Sequence, residues 1–303
     1  MKIINAITHF PKERAKVNTN QELPLDDNRP RFSSEDLVLD ATLPVCKQLL
    51  EEVNFNPLEI DLILNITLTP DRLFQDKTIG VPRVAHPIHY LIKAENAFVI
   101  DIHESDWNTA FTIAKAFMVD QNRKNVLIIR TEFLHSSVHP DYKSGFNIPD
   151  GIALILAEQD NDEIAIDYKD LETKDVFCRY DMLPKGGELA EEQFRSKLTW
   201  KADEKYVEDL NKTGQEFLNQ MLEKNKEVDG VVFESWFPKH DITCEDSEKV
   251  FKSIQKEDTF KSLGAFSLPH YLRELKENKE VSTICSISYS PFINRYSGTV
   301  LSV

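Results

Sequence analysis

Two histidine pairs, His86-x-x-His89 and His135-x-x-x-His139, have spacings that can put two imidazoles on one helix face. Such a pair is half of a zinc site, which needs a third ligand from Cys, His, Asp or Glu before it can bind or polarise water. Pro82 and Pro87 lie beside the first pair and Pro140 beside the second. Proline in a helix interior removes a hydrogen bond, which speaks against regular helix at either place. No carboxylate or thiol stands at a recognised third position. Both pairs therefore read as surface or interface histidines, and neither a metal nor any other cofactor is expected. The four cysteines, Cys46, Cys178, Cys244 and Cys285, lie far apart with no C-x-x-C pair. That excludes a zinc ribbon or a thioredoxin-like dithiol and suits reduced thiols in a cytoplasm.

Composition narrows the classes further. The chain has 303 residues, with 36 Lys+Arg against 51 Asp+Glu, a formal net charge of −15. Non-specific nucleic-acid binding needs a basic stripe to displace counterions, so this balance argues against a nucleic-acid partner. No run approaches the roughly 20 apolar residues of a membrane span, and the first residues, Met1 to Ala6, lack the apolar core of a secretory signal. The nine glycines are fewer than half of the about 21 that average usage would give. An enzyme that builds its site from glycine-rich loops would not have this composition.

The elements that must position any site follow from periodicity. Ile3–Ile7 reads as a strand. Residues 35–53 carry Leu37, Val38, Ala41, Val45, Leu49 and Leu50 at helical spacing, the mark of an amphipathic helix. Strands are predicted at 61–67, 97–102, 125–129 and 151–157, with a largely apolar helix at 109–119. The pattern then returns, with a helix at 201–224, strands at 228–233 and 281–287, and a short helix at 268–275. Strands alternating with helices predict an α/β fold with a mainly parallel sheet. The repeat of helix, E-x-D-containing strand and turn predicts two similar fused halves, residues 1–160 and 161–303.

The order of short motifs resembles the thiolase superfamily, above all its ketoacyl-acyl-carrier-protein synthase III branch. His9 to Leu23 resembles the family's opening. "P-L-E-I-D-L-I-L-N-I-T-L-T-P-D" resembles its helix-to-strand segment ending in T-x-T-P-D. "A-F-V-I-D-I" resembles the strand that carries the nucleophile, "V-L-I-I-R-T-E" and "P-D-G-I-A-L-I-L" the next two strands. "E-V-D-G-V-V-F" and "S-L-P-H-Y-L" resemble the strand and helix that bracket the other catalytic positions. The resemblance implies a thiolase-like fold of two fused halves in a layered αβαβα arrangement. It also implies a dimer and chemistry on acyl thioesters.

The family's Cys–His–Asn triad has no counterpart here. Counting from Asp101-Ile102 puts Asp106 at the cysteine position. Counting from Val228-Asp229 puts Glu234 at the histidine, and counting back from Ser267-Leu268-Pro269 puts Ser262 at the asparagine. The family's C-terminal glycine loop is replaced by Ser288-Tyr289-Ser290-Pro291-Phe292. In the family a helix N-terminus favours the cysteine thiolate. Aspartate there is instead a good N-cap, able to bond the amide of Asn108 or Thr109. Trp107 stands where the family keeps a very small residue, so its indole is expected in the space of the acyl tunnel or pantetheine arm. Glu234 close to Asp106 in a dry site would force one carboxyl to hold a proton or a cation to sit between them. Alternatively Glu234 pairs with Lys239 or His240, or faces a solvated former active site. A one-residue bulge after Ile102 would bring the Ser105 hydroxyl to the nucleophile position, with Glu234, His103, His240 or His270 as its base.

These substitutions and the glycine shortage point to a catalytically inactive cytoplasmic subunit. It would dimerise with an active ketosynthase-like partner, or with itself, and meet acyl carrier protein or acyl-CoA through that partner. The alternatives are an acyltransferase or condensing enzyme of altered chemistry, using Asp106 with Glu234 or Ser105, and a homodimer that binds an acyl thioester without turnover.

Overall fold

The computed structural model describes residues 1–11, 38–67, 84–103, 105–133, 149–160, 166–171, 177–181, 197–201, 204–234, 242–243, 250–251, 263–277, 281–290 and 294–303. Strand β1 (Lys2–His9) is followed by helix α1 (Val38–Glu52), whose Val38, Val45, Cys46, Leu49 and Leu50 form one buried stripe. That spacing is the period of a helix lying on a sheet. Then come β2 (Leu62–Thr67), the short helix α2 (Ala85–Leu91), β3 (Phe98–His103), α3 (Trp107–Gln121), β4 (Asn125–Glu132) and β5 (Gly151–Glu158). Beyond them lie β6 (Ile166–Asp170), a ribbon of β7 (Phe177–Asp181) and β8 (Lys197–Lys201), and α4 (Glu204–Lys224). The chain continues through β9 (Gly230–Phe233), β10 (Val250–Phe251), α5 (Ser267–Glu277), β11 (Thr283–Ser290) and β12 (Arg295–Ser302).

The same strand order occurs twice. The first set runs β1-β5-β4-β2-β3 and the second β6-β12-β11-β9-β10. In each, neighbours among the first three strands are antiparallel and neighbours among the last three parallel. Helix α3 links β3 to β4 as α5 links β10 to β11. A single parallel pair, Lys2 with Ser302, joins the two sets.

Burial separates the layers. Leu62, Leu64 and Ile66 of β2 share a core with Trp107, Ala110, Phe111, Ala114 and Met118 of α3. Ile63, from the opposite face of the same strand, packs with Leu49, Leu50 and Ile88 of α1 and α2. Helix α3 also packs on β11 and β12, and α5 on β1, β5 and β9, so these two helices form the middle layer between the sheets. Helix α4 covers the far side of the second set, where Phe217 and Met221 approach Gly298. The arrangement is the expected αβαβα.

Two expectations are corrected. The sheet is mixed rather than mainly parallel, because β5 and β12 each run antiparallel to both neighbours within their own set. A strand buried on both faces, as β5 is from Gly151 to Ala157, reads as an unbroken apolar run in either direction. His86-Pro87 does lie in a helix, α2. Pro87 sits in the first turn, where a missing N–H is tolerated.

Candidate functional site

Helix α3 begins where β3 ends, in the layer between the sheets. Asp106 is its N-cap, with φ −114° and ψ 172°, and the carboxyl Oδ1 accepts the Thr109 amide at 2.8 Å. The same oxygen accepts from Ser297 Oγ of β12 at 3.1 Å. Asp106 is buried, and both bonds serve the helix start and its attachment to the second sheet. Asp106→Ala is expected to cost about 1–2 kcal/mol of stability, the usual value of a cap. Asp106→Asn, which keeps the accepting oxygen, should cost a few tenths, and denaturant midpoints of the two variants check the difference.

Trp107 is 0% exposed and its indole Nε1 donates to the Ala265 carbonyl at 2.6 Å. The ring therefore points inward, against the turn that precedes α5. Asn108, also fully buried, donates its amide nitrogen to the Ser286 and Ser297 carbonyls at 3.3 and 3.0 Å and to Ser297 Oγ at 3.2 Å. These three consecutive residues pin the α3 N-terminus to elements of the second half.

Glu234 follows β9 directly, its amide continuing the ladder to the Ile287 carbonyl at 3.0 Å. The side chain is fully buried and Oε2 accepts from Ser288 Oγ at 2.7 Å. Ser288 is the cross-strand partner of Ser297, which bonds Asp106. One pair of facing serines thus carries a carboxyl on each side, and the two candidate residues do come together. Burial pushes the Glu234 carboxyl up to about 8, with Asp106 and Glu132 adding to the rise while Arg130 and the Ser288 hydrogen bond oppose it. At pH 7 the group is mostly a neutral acid. Its second oxygen, Oε1, is buried without a hydrogen-bond partner. The reading of Glu234 as solvated is overturned by this burial. Lys239 and His240 lie outside the described residues.

The sequence reading missed the charges opposite. Arg130 and Glu132, both 0% exposed, are joined by a 2.9 Å bond from Nε to Oε1. The Arg130 guanidinium lies 6.0 Å from the Trp107 ring centre. The signal was present: two charged residues close an otherwise apolar strand, at positions that alternate with the inward-facing Val126 and Ile128. Ser288 and Ser297 gave no such signal, since serine alternation is common in loops as well as strands.

The other candidates separate. Ser105 is buried, with Oγ 3.4 Å from the neighbouring Asp106 carbonyl. Ser262 lies outside the described residues, although Leu263 to Phe266, which follow it, form the turn that receives Trp107. His270 faces Glu274 at 3.4 Å on the partly exposed side of α5. The His86 and His89 rings stand 5.8 Å apart, and His135 and His139 lie outside the described residues. Among the described residues no group of three or more His, Cys, Asp and Glu could hold a metal ion. No helix among them is long and apolar enough to cross a membrane.

No protein-family model matches the chain. Over 135 residues it is 33% identical to a 2-heptyl-4(1H)-quinolone synthase subunit of Pseudomonas aeruginosa, a match covering 45% of this chain and 47% of that protein. The likeness thus spans about half of that relative. Over 290 residues, 91% of this chain and 87% of the relative, it is 27% identical to the beta-ketoacyl-[acyl-carrier-protein] synthase III of Aquifex aeolicus. The crystal structure of 3-oxoacyl-[acyl-carrier-protein] synthase III from Aquifex aeolicus superposes with a TM-score of 0.70 at 19% identity, over 100% of this chain and 99% of that one. The chain has the thiolase-like fold of these synthases and is similar in sequence to ketoacyl synthase III-like proteins.

Proposed function

We propose that this chain is a catalytically inactive ketosynthase III-like subunit, cytoplasmic, that dimerises with an active ketosynthase in fatty-acid or polyketide-like secondary-metabolite biosynthesis. The observation that carries the reading is the fully buried Trp107, tied to Ala265 at the helix start where the resemblance places a reactive cysteine and its acyl chain. The neighbouring Asp106 spends its carboxyl on the helix cap and Ser297. The Pseudomonas relative is named as a subunit of a synthase, which supports a partnered role. A surface suited to a partner is present. Strand β3 ends the first set and, among the described residues, pairs only with β2. Beside it Tyr90, Leu91 and Phe98 are exposed. A bare strand edge with apolar side chains favours being covered.

Affinity purification of the tagged chain from its native host tests this. The expected result is a second ketosynthase-like chain that keeps Cys, His and Asn, recovered at equal stoichiometry, and no consumption of acyl-CoA or acyl-carrier protein by this chain alone. Turnover by the pure chain would sink the reading.

A second reading is favoured by one observation: Glu234, buried and raised to about 8 beside Asp106, is tuned as a general acid would be. In that reading the pair runs altered acyl-transfer chemistry, and Asp106→Asn or Glu234→Gln abolishes activity while leaving the fold intact. Ser105 is the weaker acyl acceptor, since its hydroxyl faces a carbonyl and not Glu234.

A further inference from the structure

The β11–β12 register sets Ser286 opposite Thr299 and Ser288 opposite Ser297. Residues two apart share a face, so these four hydroxyls form a two-by-two block. The block faces α3, because Ser297 Oγ bonds Asp106 and Asn108. The intervening Ile287 and Gly298 face Phe217 and Met221, on the α4 side. All four hydroxyl residues are at most 1% exposed.

Half of the block is satisfied within the chain. Ser288 bonds Glu234 and Ser297 bonds Asp106. The other half is not: Ser286 Oγ and Thr299 Oγ1 are buried with no hydrogen-bond partner, and so is Asn108 Oδ1. The three atoms belong to neighbouring residues. Asn108 Nδ2 lies 3.3 Å from the Ser286 carbonyl, and Ser286 is the cross-strand partner of Thr299. Facing residues of an antiparallel ladder have Cβ atoms about 4.5–5.5 Å apart. That spacing leaves room for a single molecule to bridge two hydroxyls that do not bond each other. Left dry, each buried polar atom would weaken the folding constant roughly ten- to hundredfold, and three together would take much of an ordinary domain's stability.

We propose that the seam between α3 and the β11–β12 ladder is a binding site for one ordered water, held by Asn108 Oδ1, Ser286 Oγ and Thr299 Oγ1. Water fits the donor set. The amide oxygen only accepts, the two hydroxyls can donate or accept, and three bonds are what a buried water usually makes. The water ties the helix of the first half to the sheet of the second, beside the bonds that Asn108 makes directly. The proposal does not depend on whether the chain catalyses anything.

Stability measurements on the full-length chain, paired with a high-resolution crystal structure, test it. Thr299→Val and Ser286→Ala each remove one partner and preserve shape or volume closely. The expected result is a folding constant lowered roughly tenfold by either change, with Thr299→Ser retaining most of the wild-type value. The crystal should show a water within hydrogen-bond distance of all three atoms. Should Thr299→Val and Ser286→Ala each raise stability, the hydroxyls are dry and the proposal fails. It also fails if the site holds a monovalent cation, which would make the midpoint differ between sodium and potassium buffers of equal ionic strength. If Thr299→Val does not fold, the sign of the Ser286→Ala change decides alone.

Discussion

Replacing Arg130 with methionine is expected to destabilise the fold by about 3–5 kcal/mol, the loss that follows when one partner of a buried ion pair is removed. Arg130 and Glu132 are both 0% exposed and bonded at 2.9 Å. Glu234 is coupled to Asp106 and Glu132 as well, and the guanidinium is the positive charge that offsets its rise. Without it, Glu132 would keep a buried charge beside two further carboxyls, and Trp107 would lose the cation over its ring. The loss would be a large part of the roughly 5–15 kcal/mol that holds an ordinary domain together. A double variant, Arg130→Met with Glu132→Leu, should recover most of it, since a well-packed apolar pair often replaces a buried ion pair at no net loss. Urea unfolding of the two single variants and the double gives the coupling directly. A single-variant loss below about 1 kcal/mol would mean that solvent reaches the cluster and that the middle layer is not dry.

How much of this could be read in advance depended on whether the signal was local. Helix α1 was legible because a one-sided apolar stripe is a property of its own residues, and the strand at 61–67 because its run is unbroken. Direction was not legible: β5 is as apolar antiparallel as it would be parallel, since both its faces are covered. Strand β12, Arg-Tyr-Ser-Gly-Thr-Val-Leu-Ser, went unrecognised. Its inward face is built of hydroxyls, which only the polar N-terminus of α3 makes acceptable. At the site, Asp106 could be assigned as a cap because capping is decided within three residues. Glu234 could not be judged, because its state is set by Ser288, Arg130 and Glu132 from two other strands. The inward turn of Trp107 likewise depends on a carbonyl 158 residues away in sequence.

Those distant neighbours make Glu234 the residue whose change should alter the pH behaviour most. Its carboxyl rises from the ordinary 4.5 to about 8 on folding. The folded state therefore binds a proton more tightly than the unfolded chain does. Stability from this group is fully present below about 4.5, declines as pH rises, and is lost once pH passes about 8. The range is on the order of a few kcal/mol, each pKa unit being worth about 1.4. The carboxyls at the surface work in the opposite direction. Asp167 is held low by its hydrogen bond from Lys224 and Glu216 by its bond from Lys169, so their smaller contributions disappear in acid, not in base. Cys46 and Tyr296, both pushed up by burial, also lose stability in base, but only from their ordinary values of 9.0 and 10.0 upward, so among these groups the decline between pH 5 and about 8 belongs to Glu234. Glu234→Gln keeps the shape and an oxygen for the Ser288 hydroxyl but has no proton to lose. The expected result is a variant close to wild type at pH 5, more stable by a few kcal/mol at pH 8.5, and nearly flat between. Chemical denaturation of both proteins across pH 5–9 measures it. Parallel curves would show that Glu234 is ionised throughout and that Arg130 neutralises it in full, which would remove the basis for treating the acid as a proton donor. A flattened curve, obtained from a chain that turns over no acyl thioester, would instead place the proton where it serves only to close the joint between the halves.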